Sequence, residues 1–147
     1  MTSKIRYALI GCGRIAPNHV AAVAKNSDML EFCAVCDLLP ERMEAVLAQL
    51  PERKRATIKR YTDYHTMLAE VRPQLVAVAT ESGKHAVVGL DCIAAGASVV
   101  IEKPLALSMR DGRALIEAAR AKGVKLCACH QNRFNKSIQK IRSAVEE

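Results

Sequence analysis

The chain has 147 residues, half of them hydrophobic and 25% charged, which excludes a disordered, collagen-like or coiled-coil protein. Lys and Arg outnumber Asp and Glu by 22 to 15, and the resulting charge of +7 favours anionic partners. The sequence has no tryptophan and few other aromatic residues to stack on bases, so a phosphate-bearing small molecule is expected rather than a nucleic acid. No apolar run approaches the roughly 20 residues of a membrane span, and the first residues lack the pattern of a signal peptide. We therefore expect a cytoplasmic protein that does not bind membranes.

Strand and helix patterns alternate along the chain. Strands are predicted at 4–10, 30–36, 60–61, 74–80, 97–101 and 125–129. Helices are predicted at 14–25, 40–50, 62–71 and 82–95, from Ser108 to Gly123, and from Phe134 onward, with a polar loop at 51–59. Thr62 and Ser108 are the expected N-caps of their helices, because their hydroxyls can accept free amide hydrogens. This alternation predicts an α/β fold: a doubly wound parallel sheet of six strands in the order 3-2-1-4-5-6, with residues 1–147 as one domain.

Six cysteines raise the possibility of a metal or disulfide site. Cys33 and Cys36 have CxxC spacing, and Cys127 and Cys129 follow far downstream. Both pairs lie in predicted strands, where Cys33 and Cys36 should point to opposite faces, whereas a zinc knuckle needs a turn between its ligands. We interpret the cysteines as structural thiols and expect no metal.

The first strand runs into a glycine-rich turn, GCGRIA at 11–16. This is the GxGxxG/A motif of dinucleotide-binding Rossmann domains, in the required context of a preceding strand and a following helix. Gly11 permits the tight turn, Gly13 lets a pyrophosphate approach the backbone, and the helix N-terminus offers amide hydrogens to the phosphates. A plain βα turn remains the alternative. The candidate cofactor residues of this turn are Gly11, Cys12, Gly13, Arg14 and Ile15.

Asp37 follows the second strand, 21 residues after Ala16. A carboxylate there can accept hydrogen bonds from the adenosine ribose hydroxyls and would repel a 2′-phosphate, which favours NAD over NADP. Arg14 and Arg42 are close enough in sequence to neutralise such a phosphate. The alternative role of Asp37 is an N-cap for the helix that begins at Pro40.

A second set of polar residues follows the fourth and fifth strands, whose carboxyl ends line the binding crevice of a doubly wound sheet. Thr80 ends the fourth strand, and Glu102, Lys103 and Pro104 follow the fifth. A lysine in that crevice can take part in proton transfer. Pro104 restricts the backbone next to it and is compatible with a cis peptide bond. The alternative is an exposed loop lysine.

These motifs, together with His85 and the pair Arg133 and Phe134, occur in the order found in the glucose–fructose oxidoreductase / inositol dehydrogenase (Gfo/Idh/MocA) family. The sequence resembles the N-terminal NAD(P)-binding domain of that family over nearly its whole length. The resemblance implies an oxidoreductase that transfers hydride between NAD(P) and a sugar or cyclitol carbon, with Lys103 as the catalytic lysine. It also implies cofactor contacts around the nicotinamide and its ribose from Thr80, Glu81, His85, Glu102, Lys103 and Gln131. Glu81 departs from the proline often found at its position.

Members of the family carry a second α/β domain that supplies the substrate pocket, and we expect that domain to be absent from this chain. Residues 130–137 are similar to the members that oxidise position 3 of UDP-N-acetylglucosaminuronate, so the expected substrate is a sugar or nucleotide sugar. Ile138, Ile141 and Val145 are expected to be partly exposed and to favour a homo-oligomer. The alternative function is a non-catalytic NAD(H)-binding sensor or docking module. His19 and His65 have no partner pattern and are interpreted as surface or structural residues.

Overall fold

The strands of the sheet are all parallel and lie in the order β3-β2-β1-β4-β5-β6, which confirms the predicted topology. The structure is a computed structural model that describes residues 3–146. Its strands are β1 (Ile5–Ile10), β2 (Leu30–Cys36), β3 (Lys59–Tyr61), β4 (Leu75–Val78), β5 (Ser98–Ile101) and β6 (Leu126–Ala128).

Helices connect successive strands, as the right-handed crossovers of a parallel sheet require. They are α1 (Ala16–Lys25), α2 (Pro40–Leu47), α3 (Glu52–Arg55), α4 (Tyr64–Val71), α5 (His85–Ala94), α6 (Met109–Lys122) and α7 (Lys136–Glu146). Short 3₁₀ turns at Ser82–Lys84 and Gln131–Phe134 precede α5 and α7. Within residues 3–146, no helix has both the length and the apolar character needed to cross a membrane.

Two apolar cores lie on opposite faces of the sheet. One is formed by the strands with α1 and α2, and Leu9 and Leu47 are fully buried in it. The other is formed with α4, α5 and α6, and Ile101 and Leu115 are fully buried in it. Complete burial of one such side chain contributes about 2 kcal/mol. The sheet is thereby held between two helical layers, and its strand ends are left to form a site.

The ends of several helices differ from the sequence prediction. Asp63, not Thr62, caps α4: its carboxylate accepts the amide hydrogen of Thr66 at 2.8 Å. A carboxylate can serve as an N-cap as well as a hydroxyl, and Thr62 lies one residue too early. The stretch predicted as a loop contains α3, and the predicted helix at 82–95 begins with a 3₁₀ turn. Ser108 does cap α6, as predicted, by accepting the amide hydrogen of Asp111 at 3.1 Å.

The prediction that Cys33 and Cys36 point to opposite faces is wrong. The register between β1 and β2 shifts after Tyr7, so that Tyr7 pairs with Phe32 and Ala8 with Ala34, leaving Cys33 as the extra residue of a bulge. A bulge interrupts the alternation of side chains, and both cysteines pack against the core on the α4 to α6 face. All six cysteines lie in the described part of the chain and carry free thiols.

Helix α7 lies outside both cores. None of its residues within the described range is buried, and Ile138, Ile141 and Val145 are 45%, 60% and 80% exposed. The expected exposure of this apolar face is confirmed, whereas the oligomeric state stays a prediction.

Candidate functional site

A crevice of about 850 Å³ opens at the carboxyl ends of β1, β2, β4 and β5. Its volume lies within the roughly 300–1,000 Å³ typical of ligand sites. In a doubly wound sheet, this edge is where the connections turn away to opposite faces and leave a groove between them. The glycine turn lies on one side of the crevice, and the loops after β4 and β5 lie on the other.

The glycine turn depends on its first glycine for its shape. Gly11 has a φ of +94°, and a Cβ added there would lie 2.6 Å from the carbonyl carbon of Ala79 and 2.6 Å from the nitrogen of Thr80. Only glycine accepts both this conformation and this approach of two strands. Gly13 differs, because a Cβ added there meets nothing within 4 Å. The space above Gly13 is therefore open on the crevice side and fits a group that approaches the backbone, as a pyrophosphate does.

Asp37 ties the end of β2 to the glycine turn. Its Oδ2 accepts the amide hydrogen of Cys12 at 2.7 Å, and its Oδ1 accepts that of Leu39 at 3.0 Å. Leu39 is the N-cap residue of α2, which has no side-chain cap, so the alternative role of Asp37 as that N-cap is wrong. Each carboxylate oxygen has a further lone pair. Half-buried Asp37, which lines the crevice, can therefore accept additional hydrogen bonds from a ligand.

Cys12 belongs to the glycine turn, but its side chain packs in the core on the α1 and α2 face and does not line the crevice. Its thiol is buried, and burial together with the nearby Asp37 carboxylate raises its pKa to about 12. Because a thiol of such high pKa stays protonated near neutral pH, Cys12 acts as a small apolar side chain.

His85 joins the two loops on the opposite side. Its side chain is 1% exposed, with Nδ1 2.7 Å from the carbonyl oxygen of Pro104 and Nε2 3.1 Å from that of Thr80. The ring therefore connects the end of β4 to the segment after β5. The peptide bond between Lys103 and Pro104 is cis, the form with which Pro104 was expected to be compatible.

Glu102 is a buried carboxylate at the end of β5, with 6% of its surface exposed. Its Oε1 lies 2.9 Å from Nε2 of His19 on α1, and its Oε2 accepts the amide hydrogen of Lys103 at 3.3 Å. The thiol of Cys129 also lies close, and burial followed by the neighbouring Glu102 raises its pKa to about 11. Of the two roles expected for His19, surface or structural, the structure shows the second: its side chain is 13% exposed and pairs with Glu102, 83 positions away, a partner that no spacing in the sequence indicated.

The charged side chains around the crevice suit an anionic ligand. Four basic groups outnumber three carboxylates on its wall, and several of the basic side chains, including Lys103, are exposed. Such a wall raises the local concentration of phosphate-bearing ligands. The basic groups are Arg14, Arg42, Lys84 and Lys103, and the carboxylates are Asp37, Glu81 and Glu102.

Most of the residues predicted for the site do line the crevice: Gly11, Gly13, Arg14, Ile15, Asp37, Thr80, Glu81, His85, Glu102 and Lys103. Cys12 does not, and Gln131 lies on the exposed 3₁₀ turn before α7, away from the lining formed by residues 3–146. Sequence reasoning missed Leu38, Thr62, Tyr64 and Val87, which also line it.

Leu38 and Val87 are 83% and 55% exposed, although both are aliphatic. An apolar residue next to a predicted strand end is a signal that could have indicated Leu38, whereas Val87 lies within α5 and has no such signal. Within residues 3–146, no group of three or more His, Cys, Asp and Glu side chains is arranged to hold a metal ion.

Comparison with known proteins identifies the family of this chain. Residues 5–130 match the model of the GFO_IDH_MocA group, described as an oxidoreductase family with an NAD-binding Rossmann fold. The crystal structure of the WlbA dehydrogenase from Bordetella pertussis, in complex with NADH and UDP-GlcNAcA, superposes with a TM-score of 0.87. It is 36% identical, over 98% of this chain and 42% of that one.

Two curated relatives are similar over nearly the whole chain. D-apiose dehydrogenase from Paraburkholderia graminis is 30% identical over 98% of this chain and 37% of its own length. Inositol 2-dehydrogenase from Salmonella typhimurium is 25% identical over 97% of this chain and 41% of its own length. The chain thus spans about two-fifths of the length of these relatives. With a matching family model and the predicted strand order, the chain belongs to the Gfo/Idh/MocA oxidoreductase family and carries its NAD-binding Rossmann domain.

Proposed function

We propose that this chain is the cofactor-binding half of a dehydrogenase that transfers hydride between NAD and a carbon bearing a sugar hydroxyl. The observation that carries the proposal is the crevice itself, in which the glycine turn and Asp37 face Lys103 across the strand ends. NAD supplies the hydride acceptor or donor when bound. The residues of this chain supply the NAD-binding site and a group that takes part in proton transfer.

The glycine turn and Asp37 are proposed to hold the adenosine and pyrophosphate portion. Open space above Gly13 and the amide hydrogens of Arg14 and Ile15, just before α1, suit the phosphates. The Asp37 carboxylate, held by the amides of Cys12 and Leu39, suits a ribose diol and disfavours a 2′-phosphate. NAD is therefore the proposed cofactor in preference to NADP.

Thr80, Glu81, His85, Glu102 and Lys103 are proposed to form the nicotinamide side. Of these, Lys103 is proposed to meet the substrate, because it is exposed, lines the crevice and is the second residue after β5. Its Nζ would hydrogen-bond the reacting hydroxyl and take part in moving the hydroxyl proton. The proposed role of His85 is indirect: it connects the loops after β4 and β5 and so holds the residues around them in position. Gln131 is retained as a proposed nicotinamide contact, and its exposed position would require α7 and its preceding turn to be held differently in a longer protein.

The proposed substrate class is a sugar or nucleotide sugar. Two observations support it: the similarity to the WlbA dehydrogenase crystallised with UDP-GlcNAcA, and the excess of basic groups around the crevice. Productive hydride transfer requires the substrate to be held against the nicotinamide, which we assign to a second domain. Cytoplasmic location is proposed from the six free thiols, which suit a reducing compartment.

Calorimetric titration of the 147-residue chain with NADH and with NADPH tests the cofactor site. We expect saturable NADH binding and weaker NADPH binding. Asp37→Ala removes a charged hydrogen-bond acceptor, which is worth about 1.4 kcal/mol or more, so NADH affinity should fall about tenfold and the preference over NADPH should shrink.

Asp28→Ala serves as the matched control, because Asp28 is exposed and lies at the opposite end of the strands, next to the start of β2. It should leave both affinities unchanged. Unchanged NADH affinity in Asp37→Ala, or tighter NADPH than NADH binding in the unmodified chain, would contradict the proposed roles.

A further inference from the structure

We infer that His19 is a positioning residue: through Glu102, it fixes the direction from which Lys103 meets the nicotinamide end of the crevice. This inference rests on the proposed function, because it concerns the orientation of the proposed catalytic lysine. His19 lies on α1, outside the crevice lining, and would affect the site only through Glu102.

The contact between His19 and Glu102 is short and largely shielded from water. Nε2 of His19 lies 2.9 Å from Oε1 of Glu102, and their side chains are 13% and 8% exposed. Burial of a carboxylate costs free energy unless its oxygens are hydrogen-bonded, so the partner of each oxygen stabilises the position of the side chain. On α1, His19 occupies the turn after buried Ala16, so the packing of the helix against the sheet sets where its ring points.

The second oxygen of Glu102 acts on Lys103. Oε2 accepts the amide hydrogen of Lys103 at 3.3 Å, while the amide of Glu102 itself donates to the carbonyl oxygen of Val78 on β4 at 2.9 Å. The backbone at Glu102 is thus held by the sheet, whereas the next residue is held through the Glu102 side chain and the His85 contact to Pro104. Loss of His19 leaves Oε1 with no histidine partner and lets the carboxylate turn toward water. The amide of Lys103 then loses its acceptor.

Cys129 does not replace His19 in this arrangement. Its thiol approaches the same carboxylate from the end of β6, but a thiol is a weak donor. A sulfur–oxygen contact therefore cannot fix the Glu102 side chain as an imidazole N–H does. His19 is the strong side-chain donor in this cluster.

The direction of Lys103 can be measured without turnover, because the two redox forms of the cofactor differ in charge at the nicotinamide. A lysine cation aimed at that ring disfavours NAD⁺ relative to NADH by Coulomb repulsion, worth roughly threefold in affinity at about 6 Å when water screens the two charges. The ratio of the Kd for NAD⁺ to the Kd for NADH therefore reports where Lys103 points. A change that only loosens the fold weakens both forms together and leaves the ratio unchanged.

The experiment titrates NADH and NAD⁺ separately into the 147-residue chain and its variants by calorimetry. We expect Lys103→Ala to lower the ratio roughly threefold and His19→Ala to lower it in the same direction. The double variant should show no further loss, since both changes remove the same interaction. His19→Gln keeps an N–H donor and should recover part of the ratio. His65→Ala is the control, because His65 is an exposed histidine on α4 and should leave the ratio unchanged.

The inference is overturned if His19→Ala keeps the ratio of the unmodified chain, or if Lys103→Ala does not change it. Should His19→Ala unfold, His19→Asn replaces it: this side chain is polar but too short to reach Glu102, and the same loss of ratio is required. Failure of the proposed function looks different, because the unmodified chain would then bind neither form of the cofactor.

Discussion

The two sides of the crevice are built in different ways. On the side of β1 and β2, the shape comes from the backbone: Gly11 has a positive φ and touches the main chain of Ala79 and Thr80. On the side of β4 and β5, it comes from buried polar side chains: His85 connects the loops after the two strands, and Glu102 joins the end of β5 to His19 on α1. A backbone-built wall depends on a few glycines close together in sequence, whereas a wall built by side chains depends on partners from distant elements.

Substitution of the first glycine is expected to have the largest effect. Gly11→Ala places a Cβ 2.6 Å from backbone atoms of Ala79 and Thr80 at a φ that side chains rarely adopt, and backbone atoms cannot move aside. We expect the free energy of unfolding to fall by about 3 kcal/mol or more, measured by urea denaturation.

Gly13→Ala is the matched control for that substitution, because its Cβ would enter open space. Its free energy of unfolding should stay within about 0.5 kcal/mol of the unmodified chain, while NADH binding weakens. Equal destabilisation by the two substitutions would show that the turn is not held by the contact at Gly11.

Removal of His85 is expected to have an intermediate effect on the other side. His85→Ala leaves the carbonyl oxygens of Thr80 and Pro104 without their ring partners and opens a cavity where a side chain was 1% exposed. The expected loss in the free energy of unfolding is about 2–3 kcal/mol, by the same denaturation assay. His65→Ala removes an exposed ring and should cost less than about 0.5 kcal/mol. A loss for His85→Ala as small as that of His65→Ala would contradict the connecting role.

Thiol labelling is expected to have the smallest effect on the fold, and it compares the two sides directly. Burial raises the pKa of Cys12 to about 12 and that of Cys129 to about 11, and the thiolate is the reactive form. Exposed Cys127 should therefore react first with a disulfide reagent at pH 8.

As the pH rises toward 11, Cys129 should become reactive before Cys12, because its thiolate forms at lower pH. Mass spectrometry of the modified peptides identifies each site, and Cys127→Ser removes the first phase. Reaction of Cys12 ahead of Cys129 would contradict the stronger burial of the glycine turn.

Sequence reasoning succeeded where one short segment contains both the signal and its physical cause. Gly11, Gly13 and Asp37 were placed correctly on the crevice because a tight turn, an open backbone and an acid after the next strand follow from local geometry. The same reasoning did not identify the partner of His19, which is 83 residues away. It failed for Cys33 because a bulge in β2 depends on the register of the neighbouring strand, which one strand's sequence does not specify.

Local sequence patterns were enough to predict the strand order, the glycine turn, the position of Lys103 near the end of β5 and the family to which the chain belongs. The periodicity of apolar residues and the requirements of a tight turn are local, so they can be recognised along the chain. The contacts that hold Glu102, and the loops that His85 connects, could be identified only from the folded chain. Hydrogen bonds to buried polar groups are made between elements that the sheet brings together, and no spacing in the sequence records that proximity.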